Sequence, residues 1–250
     1  MTLFKAVLNF NSEDKVLSSF EEAMRQLLQT QTLEDLTVLF QSIISSLEGT
    51  RFAFAQFRSW NKDACFSLIH TYDQAWTQHY IKHQYYLDDP VYLALETLYN
   101  PYVWDFSNPV GLSSKQKAIV REASDLGLCS GLTIPIVDLA SKTRSFMTII
   151  GNTKHIHEPY ALNTLSGVSR LFWERKQGIE KQDVLHKLSP RELEVLSLKA
   201  QGYLIKSIAS EIGLSASTVR DYLDHAKLKL GCASLDQALF RYGTLTFNGS

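Results

Sequence analysis

Cysteine is scarce in this sequence, and long apolar runs are absent. The three cysteines, Cys65, Cys129 and Cys232, lie far apart and form no C-x-x-C pair, which argues against a disulfide framework and indicates reduced thiols. The sequence has no run of about 18 apolar residues, as a membrane-spanning helix would need. The N-terminal segment MTLFKAVLNFNSEDK lacks the pattern of a signal peptide. We therefore expect a cytoplasmic protein without a membrane partner.

An excess of charge of either sign is also missing. The formal net charge is −1, which argues against a chain that coats nucleic acid non-specifically. Residues 1–174 contain fourteen Lys and Arg against eighteen Asp and Glu, whereas residues 188–250 contain seven against six. The polar segment 177–187 has no apolar periodicity. We expect this segment to be a linker between one domain at 1–176 and another at 188–250.

The segment from 188 to 231 carries the start and stop signals of three short helices. Ser189, Pro190 and Glu192 match a capping box with proline at the first helical position. The turn Gly213-Leu214-Ser215 joins the second and third predicted helices, which is typical of a helix-turn-helix whose last helix enters a DNA major groove. A plain helical bundle with a short turn would show the same pattern.

Hydroxyl groups and cations occupy the outward face of the third predicted helix. Such side chains bind phosphate oxygens and base edges. We expect double-stranded DNA to be contacted by Ser217, Thr218, Arg220, Lys227 and Lys229, with the two hydroxyls close to base edges.

The same segment resembles the DNA-binding domain of LuxR-type transcription regulators. The resemblance rests on L-S-P-R-E-x-E-V-L, A-x-G-Y, I-A-x-x-I-G-L-S-x-x-T-V-R-x-Y-L and K-L-G. It implies an all-α, four-helix helix-turn-helix domain at 188–250. Three positions differ from the family pattern, since Ser207 replaces the usual Glu, Tyr222 the usual His and His225 the usual Asn. These differences bear on the operator sequence rather than on the fold.

The N-terminal part combines amphipathic helices with alternating strands. Helical spacing of apolar residues recurs in 15–30 and 33–47. Further along the chain we predict strands at 51–58, 66–70, 131–137 and 145–150, a helix that Ser113 or Ser114 caps and that runs to about Gly127, and a long helix from Pro159 to Lys176. This order of elements predicts an α+β fold whose N-terminal domain is an α-β-α sandwich with an antiparallel sheet.

One stretch between the predicted strands is unusually aromatic. Its rings belong to Tyr72, Trp76, Tyr80 and Trp104, the first three spaced four residues apart. Aromatic rings with one carboxylate, Asp89, and an indole N–H suit a pocket for a neutral, amphipathic small molecule. Ordinary cores also contain aromatics at this spacing, and Asp89 before Pro90 is sufficiently explained as a helix N-cap.

The aromatic stretch is also similar to the acyl-homoserine-lactone-binding domain of the LuxR family. The matching pattern is Y-x3-W-x3-Y-x8-D-P-x13-W followed by G-L-T-I-P-I, and the likeness covers residues from about 15 to 176. The resemblance implies that Trp76 donates to the lactone carbonyl, Tyr72 donates to the acyl carbonyl and Asp89 accepts the ligand amide N–H. It implies a ligand, an acyl-homoserine lactone, and no cofactor.

The resemblance assigns supporting roles to further residues. It implies that Tyr80 and Trp104 wall the pocket, that Pro90 holds a turn and that Gly131 lets the strands approach closely. Many relatives place a Ser or Thr near the acyl carbonyl, and we expect that position at Met147, with Thr148 facing the other way. A methionine there would fill space and weaken recognition of an oxo group.

Other classes of protein fit the sequence less well. An enzyme would need a catalytic motif, but G-x-S-x-G and phosphate-binding glycine loops are absent, and His155-x-His157 lacks the further ligands of a metal site. A phosphorylated response regulator would need an acidic pocket on an alternating βα fold. A LuxR-like regulator that binds another small molecule, or none, stays open as the alternative.

These observations predict a ligand-responsive transcription regulator that is not an enzyme. We expect an acyl-homoserine lactone to complete the core of the N-terminal domain and to stabilise a homodimer. The dimer would bind a two-fold-symmetric DNA operator through two helix-turn-helix domains.

Overall fold

The computed structural model describes residues 13–46, 49–58, 65–95, 97–138, 143–151 and 159–246. The chain divides into two compact units, Met1–Arg175 and Lys176–Ser250. Within the described residues, every helix is too short or too polar to cross a bilayer. The histidine pair at 155 and 157 lies outside the described residues.

The N-terminal unit contains helices on both sides of a sheet. Its elements are α1 (Glu13–Gln29), α2 (Leu33–Ser46), β1 (Gly49–Arg58), β2 (Cys65–His70), α3 (Gln74–Lys82), a 3-10 turn (Tyr85–Leu87), α4 (Pro90–Ala94), β3 (Tyr102–Asp105), α5 (Ser114–Asp125), β4 (Ser130–Asp138), β5 (Thr143–Gly151) and the first part of α6 (Pro159–His186). The strands form one sheet in the order β2-β1-β5-β4-β3, and each adjacent pair is antiparallel. The α+β fold with an antiparallel sheet is therefore confirmed.

One face of the sheet is tightly packed against α2 and α6. Phe52 of β1 meets Phe40 of α2 with ring centroids 4.8 Å apart, and Phe172 of α6 lies 4.8 Å from Phe40 and 5.7 Å from Phe52. All three side chains are fully buried. This aromatic cluster holds two helices on the sheet, because large buried rings contribute most of the apolar area removed from water.

The opposite face of the sheet meets α3, α4 and α5 less closely. The positions of β1 that point to this side carry the small residues Ala53 and Ala55. A network of polar side chains holds α3 against α5, because Glu122 Oε2 accepts from the Tyr85 hydroxyl at 2.9 Å and lies 2.9 Å from His79 Nε2. Space is therefore left between the sheet and these helices, and the helices are fixed by contacts at its border.

The C-terminal unit contains α7 (Pro190–Ala200), α8 (Ile205–Glu211), α9 (Ala216–Lys229) and α10 (Leu235–Thr246). The capping box at α7 is present, since the Glu192 backbone N–H donates to Ser189 Oγ at 3.2 Å and the Ser189 N–H donates to Glu192 Oε2 at 2.6 Å. Val195, Ile208 and Val219 are fully buried between the helices. The predicted helical C-terminal fold is confirmed.

The segment expected to be a linker differs from the prediction. Residues 177–186 continue α6 as regular helix, and the division between the compact units falls inside this helix. The side chain of Ile179 is buried, and Lys176 forms an ion pair with Glu180 at 2.7 Å. Residues Gln177, Glu180 and Lys181 have high helix propensity, so the helix forms although the segment lacks an apolar stripe.

Gly131 permits the close approach of β3 and β5 to β4, and its substitution gives a prediction. A Cβ atom at Gly131 would collide with the Ile149 carbonyl oxygen and lie 3.0 Å from Trp104 Cζ2, whereas nothing lies within 4 Å of a Cβ at Gly167. We expect Gly131→Ala to lower the free energy of unfolding by about 1–3 kcal/mol, the usual result of overpacking. The control Gly167→Ala, in helix α6, should raise it slightly.

Urea unfolding followed by tryptophan fluorescence measures this difference selectively. All four tryptophans lie within residues 1–175, so the signal reports on the N-terminal unit. Equal stability of Gly131→Ala and Gly167→Ala would contradict the proposed contact.

Candidate functional site

A cavity of about 590 Å³ lies between the sheet and helices α3, α4 and α5. Ala53, Ala55 and Thr148 contribute the sheet side of its wall. Leu68 and Ile81 also line the cavity and are 42% and 54% exposed, so the cavity opens between β2 and α3. Its volume and largely apolar wall are typical of small-molecule binding sites, which span about 300–1,000 Å³.

The aromatic residues singled out from the sequence come together in this cavity. Tyr72, which precedes α3, lines it together with Trp76 and Tyr80 of α3 and Trp104 of β3. The rings of Trp76 and Tyr80 are 6.0 Å apart. The side chain of Asp73 caps α3 by accepting from the Ala75 backbone N–H at 2.8 Å. This cap fixes the start of α3 and thereby the direction of its aromatic face.

Asp89 is both a helix cap and part of the cavity wall. Its Oδ1 accepts from the Val91 backbone N–H at 2.8 Å at the start of α4, where Pro90 occupies the first helical position. Its Oδ2 accepts from the Tyr80 hydroxyl at 2.8 Å. A carboxylate has about four acceptor positions, so Oδ2 retains room for one further donor from within the cavity.

Burial changes the acid-base properties of the groups around Asp89. Burial raises the pKa of the Asp89 carboxyl, although hydrogen bonds from Tyr80 and from the backbone N–H groups of Val91 and Tyr92 act in the opposite direction. Burial and the nearby Asp89 charge raise the pKa of Tyr72 and of Tyr80. Both phenols therefore stay protonated near neutral pH and act as hydrogen-bond donors.

Two polar groups in the cavity wall have unused hydrogen-bonding capacity. Neither the Tyr72 hydroxyl nor the Trp76 indole N–H donates to any other residue that the structure describes. Neither atom is among the fully buried atoms without a partner in the described residues, so both are accessible from the open space of the cavity. A molecule in the cavity that offers carbonyl oxygens would satisfy both donors.

Threonine hydroxyls provide a second polar position on the sheet side of the cavity. Trp104 Nε1 donates to Thr133 Oγ1 at 3.0 Å, and Thr133 Oγ1 lies 3.0 Å from Thr148 Oγ1. Because Thr133 already accepts from Trp104, it can donate its own proton to Thr148. The Thr148 proton is then available to the cavity, which Thr148 lines.

The expectation that Met147 lines the pocket is wrong. Met147 pairs with Phe54 of β1 and Ile134 of β4, and it lies fully buried on the packed side of the sheet. Thr148, which pairs with Ala53, faces the cavity instead. Successive strand residues point to opposite faces, so an error of one position in the register exchanges the two sides.

Helix α9, which is predicted to be the recognition helix, begins with a cluster of hydroxyl groups. Ser215 Oγ accepts from the Thr218 backbone N–H at 3.1 Å and lies 2.7 Å from Ser217 Oγ and 2.8 Å from Thr218 Oγ1. Ser217 and Arg220 are exposed. Arg220 forms neither a hydrogen bond nor an ion pair with another described residue, so its guanidinium group is free to bind an anion or a base.

The two lysines predicted to contact DNA are engaged within the C-terminal unit. Lys227 Nζ lies 2.7 Å from Asp224 Oδ1, and the hydrogen bond from Lys227 lowers the pKa of Asp224. Lys229 Nζ lies 2.8 Å from Oε2 of the buried Glu192. Desolvation opposes ionisation of Glu192, but the hydrogen bonds from Lys229 and Ser189 outweigh it and lower the pKa of Glu192. Lys229 therefore ties α9 to α7.

Sequence reasoning missed residues at both sites. Ile134 and Ile149 are buried and directly follow Thr133 and Thr148 along β4 and β5. Because successive strand residues face opposite sides of the sheet, assigning the two isoleucines to the packed side would have placed the two threonines on the cavity side. Lys206 of α8 is exposed and forms no ion pair with another described residue. The first helix of a helix-turn-helix crosses the DNA backbone, so a free lysine on α8 is a further phosphate candidate.

Comparisons with known proteins give a family match for each of the two parts of the chain. Residues 32–168 match the autoinducer binding domain family, and residues 186–241 match the luxR family of bacterial regulatory proteins. The chain is 26% identical over 177 residues to the transcriptional activator protein CarR of Pectobacterium carotovorum, covering 65% of this chain and 72% of CarR.

Solved structures show the same fold at low sequence identity. One is a crystal structure of Escherichia coli SdiA. Its alignment covers 92% of this chain and 98% of the SdiA chain, with a TM-score of 0.56 and 17% sequence identity. A structure of SdiA in complex with octanoyl-rac-glycerol covers 94% of this chain and 96% of SdiA, with a TM-score of 0.54 and 17% identity.

The autoinducer binding domain match alone spans more than half of the chain, and the luxR match covers the helix-turn-helix. The members of this family are transcription regulators rather than enzymes, and the autoinducer binding domain takes a ligand rather than a cofactor. The chain therefore belongs to the LuxR family of bacterial regulatory proteins and is a ligand-responsive transcription regulator.

Proposed function

We propose that this regulator binds an acyl-homoserine lactone in its N-terminal unit and a two-fold-symmetric DNA operator as a homodimer. The observation that carries the ligand assignment is the composition of the cavity wall. One carboxylate acceptor, Asp89, lies with two unpaired donors, Tyr72 and Trp76, in a largely apolar cavity. An acyl-homoserine lactone offers one amide N–H, two carbonyl groups and an apolar chain, which are the complementary groups.

Each polar group of the ligand has a partner of the right kind. The amide N–H would donate to Asp89 Oδ2, the lactone carbonyl would accept from Trp76 Nε1, and the acyl carbonyl would accept from the Tyr72 hydroxyl. The Thr148 hydroxyl would lie near the first carbons of the acyl chain in place of Met147. Recognition of an oxo or hydroxy substituent there is thus favoured, because a hydroxyl can donate or accept.

Ligand binding would stabilise the folded state and the dimer. A ligand that binds only the folded protein adds to its stability by mass action, and here it would also give the Tyr72 and Trp76 donors a partner.

Helix α10 offers a contact for a second copy of the chain. On α10, Leu235 and Leu239 pack partly against the core of their own unit, whereas Phe240 is 76% exposed. We infer that α10 contacts a second copy through Phe240. Two weakly charged C-terminal units would then bind DNA together in the cytoplasm.

A second candidate ligand is a different neutral amphipathic molecule. A structure of SdiA, which shares this fold, is in complex with octanoyl-rac-glycerol, a glyceride with an acyl chain and without an amide N–H. Expression of the chain with and without N-butanoyl-, N-octanoyl- and N-dodecanoyl-homoserine lactone, followed by mass spectrometry of the extracted protein, distinguishes the two. Retention of a glyceride in preference to every lactone would overturn the lactone assignment.

Substitution of Trp76 tests the ligand pose. Trp76→Phe removes the indole N–H, and we expect affinity for the retained lactone to fall about tenfold, in line with about 1–3 kcal/mol for an unpaired buried group. The matched control is Trp173→Phe, because Trp173 is similarly buried, does not line the cavity, and also has an indole N–H without a partner among the described residues. Equal ligand-induced shifts in Tm for both variants would contradict the pose.

The raised pKa of Asp89 gives a pH-dependent prediction for the protein without ligand. The folded state binds the Asp89 proton more tightly than the unfolded state does, so folding stability falls as pH rises between the two pKa values and stays low above them. Asp89→Asn lacks this penalty. We therefore expect wild-type stability, relative to Asp89→Asn, to increase as pH is lowered from about pH 7 to about pH 4.

Urea unfolding followed by tryptophan fluorescence checks this difference. Asp73→Asn, at the exposed N-cap of α3, controls for the loss of a capping charge outside the cavity. The assignment of Asp89 as a partly buried carboxylate with a raised pKa is wrong if the stability difference between wild type and Asp89→Asn does not change with pH.

Substitution of Arg220 tests the DNA assignment. We expect Arg220→Ala to weaken binding to a duplex selected by the wild-type protein by about 5- to 150-fold, since a specific side-chain contact to a base is worth about 1–3 kcal/mol. Arg191→Ala is the control, because Arg191 is exposed on α7 and pairs with Glu194 at 2.6 Å. Fluorescence anisotropy measures both affinities, and wild-type binding by Arg220→Ala would refute the role of α9.

A further inference from the structure

We propose that Asp221 on α9 reads a base: its carboxylate accepts a hydrogen bond from a cytosine amino group in the major groove, beside a guanine contact made by Arg220. The inference rests on the proposed DNA-binding function and deepens it, because it predicts part of the operator sequence. It follows from the exposure of the helix, from the pairing of its charges and from the chemistry of the groove.

The exposed positions of α9 form one continuous face. They are Ser217, Arg220, Asp221, Asp224, His225, Leu228 and Lys229, which recur at intervals of three and four residues. The buried positions Val219, Leu223 and Ala226 lie on the opposite side and pack into the core of the C-terminal unit. The exposed face is therefore the face that a recognition helix presents to the groove.

The charges of this helix fall into two groups. Asp224 is paired with Lys227, and Lys229 is paired with Glu192. Arg220 and Asp221 form neither a hydrogen bond nor an ion pair with any other residue in the described part of the chain. Of the five Asp, Lys and Arg side chains on α9, these two therefore remain available to bind a partner.

A role of Asp221 within the protein is not supported by its surroundings. Adjacent residues on a helix do not face each other, so Asp221 does not orient Arg220. His225 is one turn further along, but no hydrogen bond or ion pair joins it to Asp221 among the described residues. Asp221 lies beyond the first helical turn, so it does not cap α9, which Ser215 caps.

A free carboxylate on a DNA-facing surface lowers affinity for every sequence unless a base donates to it, because phosphates repel it. In the major groove cytosine presents only its N4 amino group, whereas guanine and thymine present acceptors and adenine presents its N6 amino group beside the N7 acceptor, which repels a carboxylate. Asp221 would accept from cytosine and would be repelled by guanine O6 or thymine O4. It would therefore act mainly by excluding wrong sequences, which is one of the two routes to specificity.

Arg220 is expected to recognise a guanine next to the base pair that Asp221 contacts. Arginine donates to guanine O6 and N7, the commonest specific contact in the major groove. Arg220 and Asp221 are the fifth and sixth residues of α9, within the N-terminal part that contacts bases in a helix-turn-helix. The operator half-site is thus expected to contain a guanine and a cytosine at neighbouring positions read by these side chains.

Selection from a pool of duplexes with a randomised core tests the proposal. The full chain is purified with the lactone of the panel above that stabilises it most, and wild type is compared with Asp221→Asn and Asp221→Ala. Asparagine pairs with adenine N6 and N7, so Asp221→Asn should replace cytosine by adenine at one position of the motif. Asp221→Ala should lose the preference there, by about 5- to 150-fold in relative affinity.

The control is Asp125→Asn, because Asp125 is exposed at the end of α5, outside the elements assigned to DNA and to the dimer, and its substitution changes the net charge by the same amount. This variant should enrich the wild-type motif. The inference is overturned if Asp221→Asn also enriches the wild-type motif with uniformly higher affinity, since the carboxylate would then act by charge alone. A wild-type chain that retains ligand and enriches no motif would overturn the DNA-binding proposal itself.

Discussion

The Asp89 carboxylate is the group on which the arrangement of the cavity depends. One of its oxygen atoms starts helix α4, and the other holds the Tyr80 hydroxyl of α3. Two helices are thereby joined at one partly buried charge, on the side of the sheet where packing is least dense. A carboxylate in this position is costly without partners, so the fold retains it with several hydrogen bonds and keeps acceptor capacity directed to the cavity.

The sheet separates two different tasks by the alternation of its strands. Phe52 and Phe54 of β1 point to the packed side, where aromatic rings fill the space between sheet and helices. Ala53 and Ala55 point to the other side, where small side chains leave a volume for a guest molecule. Even-numbered positions of β1 therefore contribute to stability, and odd-numbered positions of the same strand contribute to the cavity.

Much of this arrangement could be predicted from local sequence signals. The capping box at Ser189 and the aspartate before Pro90 were readable because each involves residues only a few positions apart. The side chosen for Met147 was not, because register is fixed by pairing with strands distant in sequence. The ion pair between Lys229 and Glu192 also joins distant positions, so the contact of this lysine with α7 could not be predicted from local signals.

That ion pair has a consequence for ionic strength. The Glu192 carboxylate is buried, so dissolved salt screens its attraction to Lys229 only weakly, whereas contacts between exposed side chains and phosphates are strongly screened. Adding salt therefore releases the regulator from a duplex without disturbing the angle between α7 and α9. The protein that dissociates therefore keeps α7 and α9 in the same arrangement, and rebinding requires no rearrangement of these two helices.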